Sequence, residues 1–275
     1  MRSDSLRILS TGMGWPSSQP GGLNTYFRSI CESLSLRGNE LHALVCSPEE
    51  PVSSAEGMNV VRIADPRTSV GRRRREFRQH AARLLDGKRV DLVYSHFAPY
   101  GIGAALEARR RRIPVVMAFH GPWSEEIKVE GAGGGGLRHR VKTAIAKSIE
   151  RKAYGLADAL IVLSETFRDI LHREYGVPLS RIHIIPGAAD VRKFRPAADK
   201  ELARSRLGVE GRTTVLTVRR LVHRMGLLQL VDAWREVARE APDALLLIGG
   251  KGPLKEELER RIAAYGLEDS VRLLG

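Results

Sequence analysis

Short apolar runs alternate along the first two thirds of the chain with longer stretches whose apolar residues recur at helical spacing. Such alternation folds as a parallel sheet with helices on both faces, because parallel neighbours need a crossover and the crossover helix packs back onto the sheet. The runs predict strands at Leu6–Ser10, Leu41–Cys46, Val60–Ala64, Asp91–His96, Pro114–His120, Ala159–Ser164 and Ile182–Pro186. Between them, Leu23–Leu36, Arg138–Leu156 and Glu165–Tyr175 carry the helical period, and Gly38 ends the first. Gly131–Gly136 is nearly all glycine and reads as a flexible loop.

Around Asp190–Asp199 the pattern breaks into a basic, proline-containing connector, and a second series begins. It predicts a strand at Thr214–Val218, a helix at Leu227–Glu240, a strand at Ala244–Gly249, a helix at Leu254–Tyr265 and a strand at Val271–Leu274. The fold class expected is therefore α/β: a complete Rossmann-like N-terminal domain over residues 1–189, then the first βαβαβ half of a second over 190–275. Ligands of doubly wound sheets collect at the carboxyl ends of strands, where the sheet order reverses.

Forty-five Lys and Arg against 32 Asp and Glu give a formal charge of +13, which favours an anionic partner. Nucleic acid is set aside, since aromatics are only 5% and neither a recognition helix nor zinc spacing is present. No apolar run approaches the roughly 20 residues of a membrane span, and the N-terminus lacks a secretory core, so a cytoplasmic location is expected. Cys31 and Cys46 sit in apolar elements without ligand spacing and read as reduced core thiols. No Asp-x-Asp pair offers two carboxylates to a divalent ion, so no metal or other cofactor is expected.

Four segments could carry chemistry. The first predicted strand runs into Gly12, Gly14 and then Gly21-Gly22-Leu23-Asn24, opening a helix; such glycines admit a phosphate to the helix N-terminus, or simply make a tight turn. His120 ends another strand, with Trp123 three residues on; an imidazole there could bind a sugar hydroxyl and an indole could face a pyranose ring, or the two could cap and pack. In the second series, Arg219, Arg220 and Arg224 follow a strand and precede a helix, as a diphosphate clamp or a solvated basic turn would. Gly250-Lys251-Gly252-Pro253 forms a second glycine-rich turn, without the Lys-Ser/Thr of a Walker loop.

In their order and spacing these residues resemble the retaining GT-B glycosyltransferases of family 4. The resemblance rests on Gly21-Gly22, on His120, on Ser164 followed by Ile185-Pro186-Gly187 with Asp190 and Phe194, on Arg220-Leu221-Val222 with Gly226, and on Gly250 to Leu254. It implies metal-independent, retaining transfer of a sugar from a nucleotide-diphosphate-sugar to a carbohydrate or lipid-linked acceptor, in envelope or exopolysaccharide assembly. On that reading His120 is catalytic. Gly21, Gly22, Arg220, Arg224, Gly250, Lys251 and Gly252 hold the donor diphosphate, while Asn24 and Trp123 meet the acceptor. The family's lysine before the helix glycine is replaced by Met225, which leaves Arg224 or Arg219 to supply that charge.

The resemblance also implies further helices and strands after Gly275, bearing two glutamates for the reacting sugar and the ribose. The 275 residues alone are accordingly expected to show weak or no transfer, with the missing half of the domain on a separate chain as one possibility. Two other readings stay open: a non-catalytic remnant or split subunit that binds acceptor or partner, and a sugar-nucleotide epimerase of the same architecture. Finally, Phe77, Ala81 and Leu84 form an apolar stripe ringed by arginines within Arg72–Leu85. The stripe would suit peripheral contact with an anionic membrane, or a helix packed on the sheet with a solvated basic face.

Overall fold

The computed structural model describes residues 5–50, 57–130 and 136–275, which fold as two units, Met1–Ala188 and Ala189–Gly275. In the first, β1 (Arg7–Thr11), α1 (Gly22–Leu36), β2 (Glu40–Cys46), β3 (Met58–Ala64), α2 (Val70–Gly87), β4 (Leu92–Ser95) and α3 (Ala98–Arg110) follow one another. Next come β5 (Val115–Phe119), α4 (Trp123–Glu130), α5 (Leu137–Leu156), β6 (Ala159–Val162), α6 (Glu165–Tyr175) and β7 (Ile182–Ile184). The strands form one parallel sheet in the order β3-β2-β1-β4-β5-β6-β7, so the winding reverses between β1 and β4.

Side chains alternate across this sheet as the pleat requires. Leu9, Leu44, Val93 and Met117 join a core shared with Phe77 and Ala81 of α2 and the small residues of α3. Ile8, Ala43, Tyr94 and Ala118, their neighbours in sequence, join Phe27 and Cys31 of α1 on the other face. Cys31 and Cys46 are buried free thiols.

Every predicted strand of this unit forms. His96, His120, Ser164 and Pro186, expected as last strand residues, instead lie just past the ladder. Three helices are not delimited by the sequence. Of α3 it marks only the basic end at Arg109 to Arg112, because residues Ala98 to Ala105 are buried all round, which erases the amphipathic period. The others are α4 and the short α7 (Lys200–Arg206) of the second unit. Of the glycine stretch expected as a loop, residues 131–135 lie outside the described residues, and Gly136 precedes α5.

The apolar stripe of α2 does not face outward. Phe77 and Ala81 are fully buried, Leu85 is buried, and the Phe77 ring stacks on Tyr100 of α3 at 4.6 Å. Its hydrophobic surface is therefore part of the core, which removes it as a membrane-inserting face; Arg72 and Arg75 stay exposed, while Arg73 and Arg74 are half-buried. Among the described residues no helix is long and apolar enough to cross a membrane.

The second unit contains α7, β8 (Thr214–Val218), α8 (Leu227–Glu240), β9 (Leu245–Gly249), α9 (Lys255–Ala264) and β10 (Val271–Leu273). Its parallel sheet runs β10-β9-β8. Val231 and Trp234 of α8 and Leu258 of α9 cover Leu246 and Ile248 of the central strand. β8 is an outer strand, and Val215, Leu216 and Val218 are 43%, 59% and 72% exposed along it.

Candidate functional site

The reversal between β1 and β4 places the ends of β1, β4 and β5 side by side, and the first residues beyond the ladder there are polar. His96 follows β4, and its backbone N–H donates to Thr11 O at 2.8 Å. His120 follows β5. The two imidazoles stack at 5.7 Å with an angle of 19°, Tyr26 of α1 meets His120 edge-on at 4.9 Å, and Tyr94 lies 4.2 Å from His96. Both ring nitrogens of His96, Nε2 of His120, Thr11 Oγ1, Ser95 Oγ and Asn24 Oδ1 are buried without a partner in the chain. Buried polar atoms are nearly always paired in native proteins, so six at one sheet edge mark a place built for something else to bond.

Burial sets the charge here. It pushes the His120 imidazole down to about 4, and His96, fully enclosed and beside a second imidazole, well below its ordinary range. Both rings are neutral at pH 7 and offer one donor and one acceptor nitrogen each.

Beside this cluster lies a cavity of about 340 Å³ lined by Met13, Gln19, Asn24, Arg73, Tyr100 and Trp123 among others. Asn24, in the first turn of α1, is 2% exposed and donates from Nδ2 to Gln19 O at 2.8 Å. Trp123 opens α4, where the fully buried Glu150 carboxylate accepts from Trp123 N at 2.7 Å and Ser124 N at 3.3 Å. Tyr175 Oη donates to the same carboxylate at 3.0 Å, so a buried charge is satisfied by a helix N-terminus and a phenol. The indole stands edge-on to Phe97 at 5.9 Å.

The glycines of the first loop divide into two kinds. A side chain at Gly12 would enter the Phe27 ring, and one at Gly14 would meet Gln19, Asn24 and the Cys46 carbonyl, so these two are required by packing. Gly21 and Gly22 have open space around the Cβ position, and the Gly21 φ of 164° is extended backbone, so folding does not demand glycine there. Their effect is to leave the N-terminus of α1 uncovered.

In the second unit the loops after β8 and β9 interlock. Leu221 N donates to Lys251 O at 3.0 Å, Leu254 N to Leu221 O at 3.1 Å, and Arg219 N to Gly249 O at 2.9 Å. A side chain at Gly250 would strike the Arg219 carbonyl, and one at Gly252 the Leu221 carbonyl. Both glycines thus have a packing reason. Arg220, Arg224 and Lys251 are exposed, Arg219 Nη1 donates to Met225 O at 3.2 Å, and Met225 packs on the core.

The structure therefore brings Asn24 and Trp123 to one cavity and sets His120 in the neighbouring aromatic cluster through Tyr26, two residues from Asn24. Gly21 and Gly22 stand at the same helix end. Arg220, Arg224, Gly250, Lys251 and Gly252 share two adjacent loops of the second unit. Sequence reasoning missed His96, Tyr26 and Arg73. His96 ends its predicted strand as His120 ends its own, and that repetition was the available signal. Among the described residues no group of three or more His, Cys, Asp or Glu could hold a metal ion.

Residues 20–193 match the sequence model of Glycosyltransferase Family 4, and residues 199–275 that of Glycosyl transferases group 1. The chain belongs to glycosyltransferase family 4. This family 4 chain is 34% identical over 142 residues to an alpha-D-kanosaminyltransferase of Streptomyces kanamyceticus, covering 50% of the chain and 36% of the relative. It is 29% identical over 230 residues to a mannosylfructose-phosphate synthase of Agrobacterium fabrum, covering 76% and 50%. It is 24% identical over 266 residues to an alpha-monoglucosyldiacylglycerol synthase of Streptococcus pneumoniae, covering 94% and 58%. The chain thus spans from about a third to three fifths of these relatives' length. Among solved structures, a sucrose-phosphate synthase from Thermosynechococcus elongatus superposes with a TM-score of 0.75 at 20% identity, covering 98% of this chain and 70% of that one. HepE of Anabaena in complex with UDP gives 0.69 at 18%, covering 98% and 69%. These superpositions place the family 4 chain in the GT-B fold.

Proposed function

We propose that the protein transfers a sugar, with retention of anomeric configuration, from a nucleotide-diphosphate-sugar to a carbohydrate or lipid-linked acceptor in cell-envelope or exopolysaccharide assembly. The observation that carries this reading is the unpaired Nε2 of His120 at the sheet edge, on a ring that burial keeps neutral. A neutral imidazole can hydrogen-bond a sugar hydroxyl through both ground and transition states without repelling the positive charge that develops at the anomeric carbon. An imidazolium could not.

Transfer breaks the bond from anomeric carbon to diphosphate oxygen and forms one to the acceptor hydroxyl oxygen, whose proton leaves with the diphosphate. The departing charge needs cations, and the exposed Arg220, Arg224 and Lys251 are the groups assigned to it, with no metal required. The open N-terminus of α1 at Gly21 and Gly22 offers backbone N–H groups to phosphate oxygens. Asn24 and Trp123 face the acceptor in the cavity. UDP-sugars are a donor class consistent with this site, since HepE is known in complex with UDP-glucose.

The test is isothermal titration of UDP-, GDP- and ADP-sugars into the protein and into Arg220→Ala. Loss of one charge-assisted diphosphate contact should weaken the preferred donor by ~10-fold or more. Unchanged affinity in Arg220→Ala would remove the clamp and the donor assignment with it.

A further inference from the structure

Among the described residues, Arg73 has no counter-ion and the cavity it lines has no acid. It lies four residues before Phe77 on α2, hence on the same helix face, and the burial of Phe77 beneath it aims the guanidinium at the sheet edge. Arg73 Nη1 donates to Tyr100 Oη at 2.6 Å, and Tyr100 is fixed by its stack on Phe77. Arg73 Nε is buried and has no partner in the chain.

None of the groups around Arg73 neutralises it. Burial pushes both the Tyr100 phenol and the Cys46 thiol up, so each stays protonated at pH 7. Asp65, next in sequence to the cavity-lining Pro66, is committed to Arg67 and Arg62, and Glu76 to Arg72. Among the described residues no carboxylate lines the cavity or pairs with Arg73. By contrast Arg72, Arg78, Arg109, Arg110 and Arg111 each hold a carboxylate within 3.2 Å. Asn24 lines the same cavity, and its buried Oδ1 also lacks a partner and can only accept.

We infer that this cavity binds a phosphoryl group carried on a polyol: Arg73 takes the phosphate oxygens and Asn24 Oδ1 accepts from a neighbouring hydroxyl. The inference rests on the acceptor reading of the cavity and narrows the acceptor to a phosphorylated one. Two sources share this chemistry. Val70 and Trp123 form a wall common to the cavity and to an apolar groove of about 460 Å³ along Val141, Ile145 and Ile149 of α5, rimmed by Arg74, Arg138 and Lys142. A soluble sugar phosphate would use the cavity alone, whereas a phospholipid headgroup would also place its chains in the groove.

The test is calorimetric titration without donor, comparing glucose with glucose 6-phosphate and inositol with dioctanoyl phosphatidylinositol below its micelle concentration. A phosphorylated probe is expected to bind ~10-fold or more tightly than its parent polyol, with that ratio falling to near one in Arg73→Met. Gln19→Glu provides a second reading where Arg73→Met melts early: it keeps the shape of a lining residue, supplies the missing carboxylate, and should likewise abolish the preference. Preference for the lipid identifies a headgroup source, and preference for the sugar phosphate a soluble one. Equal binding of phosphorylated and parent compounds, or a preference that persists in both variants, overturns the inference. Because no donor is present, failure of the Arg220→Ala experiment and failure of this one are separate results.

Discussion

The depressed His120 pKa makes a quantitative claim about acid stability. Its folded value of about 4 lies below the ordinary 6.5, so between these pH values the unfolded chain binds a proton that the folded chain refuses. The stabilisation is complete above pH 6.5 and is lost as pH falls toward 4. Integrating the linkage relation for one site from pH 7 to pH 5 gives a loss of about 2 kcal/mol from His120. The carboxylates with the largest downward shifts, such as Asp65, scarcely titrate in that window, since their unfolded values lie near 3.8. His96 and His80 shift the same way and add to the total, so the diagnostic quantity is the difference between wild type and His120→Phe, which keeps the ring and removes the proton. Trp15 and Trp123 belong to the first unit and Trp234 to the second, so urea unfolding followed by tryptophan fluorescence in a Trp234→Phe background reports on the first unit. Wild type should lose about 2 kcal/mol more than His120→Phe between pH 7 and pH 5. Equal losses in the two proteins would refute the neutral buried imidazole, and with it the argument for its role beside a developing cation.

Two further substitutions probe how the site is held. Gly12→Ala would drive a methyl into the Phe27 ring, and overpacking of that kind should cost about 1–3 kcal/mol, read as a lower denaturation midpoint at unchanged slope. Glu150→Ala would strand Trp123 N, Ser124 N and the Tyr175 hydroxyl without their acceptor; a loss of about 2 kcal/mol or more is expected, and a loss below about 0.5 kcal/mol would show that water replaces the carboxylate.

Where the sequence announces its structure and where it does not follows from burial. Strands of a doubly wound sheet are mostly covered on both faces and read as continuous apolar runs, and all ten observed strands lie where such runs are, with ends differing by a residue or two, including the outer, largely exposed β8. α1, α5, α6 and α8 have one wet face and show the helical period. α3 has almost none. Packed between α2 and the sheet, it uses Gly101 and Gly103 because a side chain there would meet Ser95 or the backbone of Arg78, and a helix of alanine and glycine without a polar side carries no periodic signal. For α2 the arginines conspicuous in sequence leave two readings open, a lipid-facing stripe or a helix packed on the sheet, and the burial of Phe77 and Ala81 in the core decides for packing.

The same reasoning explains which site residues were visible. His120 stands out because a histidine closing an apolar run has few structural reasons to be there, and His96 closes β4 in the same manner. Arg73 does not stand out, since it is one of four consecutive arginines and only tertiary packing distinguishes it from its neighbours. Arg72 reaches Glu76 at 2.8 Å within its own helix, while Arg73, one residue on and therefore turned about 100° around the axis, faces Tyr100 and the cavity. Helix geometry thus distinguishes neighbours in the charge run: among the described residues Arg72 has an acidic partner and Arg73 has none. An anionic ligand has more to gain at Arg73 than at Arg72, because there it displaces no internal counter-ion.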